Sequence, residues 1–307
     1  MIHNSEMTTS VKYHNGSPRG AVAALLDRYR SAPEASARVL LVTLFGDALH
    51  PGRQPVWISD LVALTAPFGV SERLLRTSLN RLMREGVLAS ERQGRQSRYS
   101  VHPEAAPTFD RAATRIYAVS GPAWDGKWTL LVGDPDWGSA GQRRRLRREL
   151  SWLGFGELAP TSHASPTLEP AVLEDLPEDL GAGVLMATRG EALLGGPGDA
   201  DLAGLLLRPS ALLDRMADLM VRFGEVLAAA GDLEPADAFV VRCLLVDAHR
   251  RIVLGCPELP GELVPEGGVE AGYRRLVAGL YRRLFPASEA LLAERFPAGV
   301  GPTGRFA

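Results

Sequence analysis

The chain has only two cysteines, Cys243 and Cys256, in 307 residues. That is too few for a disulfide scaffold, so a reduced pair is expected. No other His or Cys stands at zinc-ligand spacing from them, so no metal site is expected. Apolar runs never reach the roughly 20 residues that a membrane-crossing helix needs. The first twenty residues are polar and lack the apolar core of a secretory signal. Together these absences point to the cytoplasm. Signatures of catalysis are missing too: there is no G-x-S-x-G elbow, no G-x-x-x-x-G-K loop and no H-E-x-x-H helix. Nothing calls for a cofactor, and an enzyme is not expected. The net charge is only −2. Overall charge therefore does not announce a nucleic-acid partner, although a small basic unit can hide inside a near-neutral total.

What is present reads as a soluble α+β protein of several units. Residues 1–35 read as a mostly disordered tail with a possible short helix over Ala21–Arg30. Residues 36–105 show a compact pattern. A helical period begins at Ser36 and is broken by Pro51-Gly52. A second short helix follows over Ile58–Ala66, then a turn at Pro67-Phe68-Gly69. A third helix is capped by Ser71, buries Leu74, Leu75, Leu79 and Leu82, and stops at Gly86. Two strands, Val87–Arg92 and Ser97–Val101, are joined at Gln93–Gln96. Helix, helix, turn, helix, hairpin is the order of a winged helix-turn-helix. Residues 106–200 suggest an α/β sandwich, with strands at Ile116–Ser120, Trp128–Gly133 and Val184–Thr188 and a basic helix at Gly141–Leu153. Residues 201–307 read as helical, over Ser210–Ala230, Glu234–Leu254 and Glu270–Phe285.

The basic charge is local. Ser36–His102 holds nine arginines against five acidic residues. In a helix-turn-helix the second helix enters the major groove and reads base edges from its N-terminal part. Arg73, Arg76, Thr77 and Asn80 are the expected readers, because Arg matches guanine and Asn matches adenine with paired hydrogen bonds. Arg81 and Arg84, later in the helix, suit phosphates, and Ser71 suits a phosphate at the helix start. On the hairpin, Arg95 and Arg98 suit the backbone or the minor groove. A solvated, merely basic helix face is the competing interpretation of any one of these residues. The ordered set points to double-stranded DNA.

Several blocks carry a resemblance. Leu41–Asp47 (LVTLFGD), Ala66–Gly69 (APFG), Ser71–Arg76 (SERLLR), Arg81–Gly86 (RLMREG) and Gly94–Tyr99 (GRQSRY) resemble the N-terminal domain of the PaaX family. Trp124–Gly126 with Trp128, Arg147–Leu150 (RREL) and Trp152–Gly156 (WLGFG) look like its central domain. His249–Ile252 (HRRI), Pro257–Pro260 (PELP) and Leu263–Pro265 (LVP) look like its C-terminal domain. The family comprises repressors of phenylacetic acid degradation operons and their paralogues. The resemblance implies a ferredoxin-like central domain, a helical C-terminal domain and a homodimer on an inverted-repeat operator. It also implies release from DNA by an aryl-acyl-CoA such as phenylacetyl-CoA.

Candidate contacts for such an effector are Trp128, Arg144, Arg147, His249 and Arg250. Gln142–Arg148 carries five arginines in seven residues, suited to phosphates or equally to solvent. Tryptophans 124, 128, 137 and 152 suit either an aryl pocket or the core. An enzyme acting on acyl-CoA, or a metal-dependent nuclease using Asp125, Asp134 or Asp136, is the alternative from another class. An architectural DNA-binding protein without a ligand is a third reading.

Overall fold

The computed structural model describes residues 18–32, 36–50, 52–94, 96–119, 121–176, 178–191, 198–207, 210–263 and 269–306. The expected tail over 1–17 lies outside them. The expected short helix is present as α1, Pro18–Ser31. Helix α2, Ala37–Leu44, starts at Ser36, whose side chain accepts from the Val39 amide, and continues as a π turn over Phe45–Leu49. Strand β1, Val56–Trp57, leads into α3, Ile58–Thr65. A tight turn, Ala66–Phe68, is closed by Gly69 at φ +79, a left-handed conformation that favours glycine. Helix α4, Glu72–Arg84, follows. Strands β2, Leu88–Gln93, and β3, Gln96–Val101, pair antiparallel from Leu88↔Val101 to Gln93↔Gln96. β1 adds to the other side of β3 through Val56↔Tyr99.

Helix α4 buries Leu75, Leu79 and Leu82, which recur every three to four residues along one face. Leu74 departs from expectation and is 47% exposed. Neighbouring residues on a helix point about 100° apart, so with Leu75 at the centre of the buried face Leu74 falls on its flank.

The middle of the chain differs from expectation at its start. Ile116 ends a helix, α5, Ala106–Ile116, instead of opening a strand. Its first turn carries Pro107, a residue favoured at helix starts. Ser120 lies outside the described residues. A four-stranded antiparallel sheet then forms from β4, Trp128–Gly133, β5, Gly156–Ala159, β6, Ser162–Ser165, and β7, Val184–Gly190, in the order β5-β6-β4-β7. Helix α6, Ala140–Leu153, has a reciprocal cap between Ser139 and Gln142 and ends at Gly154, φ +115. Leu146 and Leu150 of α6 pack with Leu131, Phe155, Leu176 and Leu180 in a small core of their own. A short helix, α7, Glu178–Gly181, supplies Leu180.

Among the described residues that follow are the α-helices α8, Asp199–Leu207, α9, Ser210–Leu227, α10, Pro235–Val253, and α11, Val269–Arg295. α10 is buried almost all round, as befits a central core helix. α11 runs on past the expected stop at Phe285, with Pro286 inside it. Leu280, Leu284, Ser288 and Leu292 form one buried stripe across the proline, so packing on both sides outweighs the backbone hydrogen bond lost there.

The main core is continuous from α1 to α11. Residues expected to form separate N-terminal and C-terminal units therefore share one hydrophobic interior. Both cysteines are unpaired and buried. No helix among the described residues is long and apolar enough to cross a membrane.

Candidate nucleic-acid interface

The exposed side of α4 is built by two constraints. The leucines turn inward, and Ser71 fixes the helix start by accepting from the Leu74 amide at 3.3 Å. A hydroxyl that accepts there still has its own hydrogen to donate. Arg73, Thr77, Asn80 and Arg84 then fall on one exposed stripe, at intervals of four, three and four. Among the described residues, no ion pair or side-chain hydrogen bond engages the side chains of Arg73, Asn80 or Arg84. Thr77 donates to the Arg73 carbonyl at 2.9 Å.

Two of the expected arginines are tied to carboxylates. Arg76 donates to Glu72 at 2.7 and 2.9 Å. Arg81 donates to Glu85 at 3.0 Å, and Glu85 also accepts from Arg38 of α2. The hydrogen bond from Arg38, followed by that from Arg81, holds the Glu85 carboxyl below its usual range. Both partners of the Arg76–Glu72 pair are more than half exposed. Such pairs are worth only about 0.3–0.5 kcal/mol, so Glu72 holds Arg76 only weakly.

The hairpin stands beside this helix. Arg92 of β2 donates to the Gly94 carbonyl at 3.2 Å, with Gly94 at φ +64. Arg95 lies outside the described residues. Arg98 is half-buried: its guanidinium lies 5.0 Å from the Trp57 ring centroid and donates to Gln93 at 3.2 Å. It braces β3 against β1 and does not stand at the hairpin tip.

A buried polar joint that sequence reasoning missed links the end of α2 to the C-terminal helices. Asp47, in the π turn after α2, is wholly buried. Its Oδ2 accepts from Arg242 of α10 at 2.7 Å, and its Oδ1 from Arg305 at 2.6 Å, Tyr117 at 2.6 Å and Tyr281 at 3.0 Å. Burial alone would raise its pKa. Arg242, Arg305 and the Tyr117 hydroxyl outweigh burial and hold the carboxyl below its usual range. Arg242 also bonds Ser288 at 3.1 Å and Glu289 at 2.6 Å, and Glu289 in turn pairs with Arg53. Thr43 donates to Asp247 at 2.8 Å and accepts from Arg250 at 2.7 Å. The signal was legible as a lone acid in the apolar run 40–49 and a lone arginine in 239–246. What the sequence does not contain is the pairing, across 195 residues.

The five effector candidates do not come together. Trp128 is buried, and its indole donates to Asp199 at 2.7 Å. Arg144 is exposed on α6, and Arg147 lies 3.9 Å from Glu157. His249 is buried, with Nδ1 2.5 Å from the Tyr273 hydroxyl and Nε2 2.8 Å from the Ile116 carbonyl. Burial lowers its pKa to about 4. Arg250 is held by Thr43 and the Val39 carbonyl. His249 lines one cavity and Arg250 another, and neither reaches Trp128, Arg144 or Arg147. The second of these, about 610 Å³ in volume, is a largely apolar cleft between α2, α5 and α10, with Arg38, Arg250 and Arg251 in its lining. Among the acids of the middle region, Asp125 is clamped by Arg189 at 3.0 Å, and Asp134 caps the turn at Asp136. Among the described residues no group of three or more His, Cys, Asp or Glu is placed to hold a metal.

Residues 36–104 match the family described as PaaX-like protein, residues 121–194 the PaaX protein central Cas2-like domain, and residues 210–294 the PaaX-like protein C-terminal domain. The transcriptional repressor PaaX of Escherichia coli (strain K12) is 32% identical over 281 residues, covering 88% of this chain and 87% of that one. Among solved structures, the uncharacterized protein Rv0674 from Mycobacterium tuberculosis aligns with a TM-score of 0.50 and 28% identity, over 82% of this chain and 98% of that one. With all three segments matched in order and a repressor as its named relative, the chain belongs to the PaaX family of transcriptional regulators.

Proposed function

We propose that this protein is a DNA-binding repressor that holds an operator through a winged helix-turn-helix and lets go when a small ligand binds. In this reading residues 36–105 form the winged helix, 106–200 a ferredoxin-like unit and 201–307 a helical unit. The order β5-β6-β4-β7, with α6 following β4, supports the second of these. α4 lies in the major groove, with Arg73, Arg76, Thr77 and Asn80 on base edges. Ser71, Arg81 and Arg84 take phosphates, and Arg95 takes the backbone or minor groove. The observation that carries this reading is the stripe Arg73-Thr77-Asn80-Arg84, exposed on a capped helix directly after a tight turn.

The effector is an aryl-acyl-CoA such as phenylacetyl-CoA, and the apolar cleft between α2, α5 and α10 supports a site for its aryl end. A homodimer on an inverted repeat matches the symmetry that such operators impose. The edge strand β7 supports a dimer face, since it exposes Leu185 at 63% and Met186 at 53%.

The test is fluorescence anisotropy on a duplex selected from a random pool and on its scrambled version, across a salt series. Asn80→Ala is expected to lose about 1–3 kcal/mol of preference for the selected duplex. Arg84→Ala is expected to weaken both duplexes alike and to lower the salt slope by about one unit. Parental behaviour in both variants would end the proposal.

A further inference from the structure

A third cavity, of about 640 Å³, opens between α1, α9 and α10. Helix α1 precedes all three segments matched to the family. The cavity lining is cationic. Arg28 from α1, Arg215 and Arg222 from α9 and Arg251 from α10 give four positive charges. Asp218 and Asp247 give two negative ones, leaving two positive charges in excess. Asp218 is occupied by Arg222 at 2.9 Å and stands 3.8 Å from Arg28. Asp247 is occupied by Arg250, Arg251 and Thr43. Arg215 is exposed and, among the described residues, has no carboxylate partner.

Two buried donors in this lining have no hydrogen-bond partner: the Tyr29 hydroxyl and Arg251 Nε. Arg222 Nε, although close to Asp218, is out of line for a hydrogen bond. Burial pushes the Tyr29 phenol up to about 12, so it keeps its proton and remains a donor. Buried polar groups nearly always find partners, and unsatisfied ones call for an explanation. Here the unsatisfied atoms are donors, they belong to side chains that line one roomy cavity, and guanidinium groups share that lining. Guanidinium forks match phosphate oxygens in pairs, and the volume suits a small molecule.

We propose that this cleft binds a small phosphoryl-bearing ligand, with Tyr29, Arg215, Arg222 and Arg251 on its oxygens, and that α1 conveys its occupancy to the turn before α4. The connection is short. The Tyr29 ring meets Phe68 edge-on at 6.0 Å between centroids, and Arg30 donates to the Pro67 carbonyl at 2.7 Å. Pro67 and Phe68 belong to the turn that sets the start of the reading helix. A ligand that fixes Tyr29 therefore acts on that turn through a single side chain.

Inorganic pyrophosphate is the probe, titrated calorimetrically into the full chain without DNA, so the outcome does not depend on the DNA-binding reading. Saturable binding at one site is expected. Tyr29→Phe deletes only an oxygen without a partner, so folding is not at stake, and it should weaken binding about tenfold, the worth of one hydrogen bond to a charged group. Arg215→Gln combined with Arg222→Gln should weaken it further, and Arg275→Gln on the exposed side of α11 should leave it unchanged. Hydrogen exchange should slow over 19–31 and 66–71 when pyrophosphate is added to the parent, and not in Tyr29→Phe. Absence of saturable binding, equal weakening by Arg275→Gln, or protection that never reaches 66–71 would each overturn the proposal.

Discussion

Replacing Asp47 by asparagine tests the joint between α2 and the C-terminal helices. The side chain keeps its shape and loses its charge. Arg242 and Arg305, which now sit 2.7 and 2.6 Å from its oxygens, would then face a neutral group in a buried site. Four side-chain donors converge on the carboxylate, and asparagine offers one oxygen and an NH2 group in its place, so at least one donor meets another donor. Arg242 retains Glu289, which softens the loss. Removing one partner of a buried ion pair costs about 3–5 kcal/mol, a large share of the roughly 5–15 kcal/mol that holds a typical protein folded. Urea unfolding followed by circular dichroism should show the midpoint fall with little change in slope. Arg242→Met alone strands Asp47 and Glu289 in part. The double variant should therefore lose less than the sum of the singles, because the partners touch. A loss below about 1 kcal/mol for Asp47→Asn would refute the view that this charge holds the joint together.

Acid should weaken the fold before any carboxylate titrates. His163 and His249 are buried, and burial lowers both pKa values to about 4. An unfolded chain takes up these protons near pH 6.5 and the folded one does not, so stability falls as pH drops below about 6.5 and levels off below about 4. At pH 5 each histidine accounts for about 2 kcal/mol of that loss, and denaturation curves at pH 7 and pH 5 that coincide would contradict it. Leu185→Glu on β7 should shift the protein to monomer in sedimentation while leaving its thermal unfolding nearly unchanged, and a variant that sediments as the parent does would remove the dimer from that face.

What the sequence made legible was the part governed by local rules. The cap at Ser71, the leucine period of α4 and the Gly94 turn are all set within a few residues, and β4 and α6 carry strong periodic patterns. Leu74 was misjudged because a run of two leucines gives no sign of which one faces inward. Strands β5 and β6 went unread because Gly156–Ala159 and Ser162–Ser165 are short and poor in β-branched and aromatic residues. They are strands because β4 offers them a partner. Ile116 and Tyr117 carry strand-like side chains, yet Tyr117 is fixed by the distant Asp47. The candidate effector residues failed to converge for a related reason. Arginine, histidine and tryptophan clusters in sequence say nothing about partners such as Thr43, Tyr273 or Asp199, which satisfy Arg250, His249 and Trp128 internally. The long-range pairs that weld the two ends of the chain have no local trace at all.

The Arg305–Asp47 bond also sets a clock. Its two residues are 258 positions apart, and ribosomes add about 5–20 residues per second. A nascent chain must therefore wait on the order of tens of seconds between making the acid and making its last counterion. Until then the N-terminal helices carry a carboxylate that their own neighbourhood cannot neutralise, so their final docking follows the synthesis of the C-terminal helices.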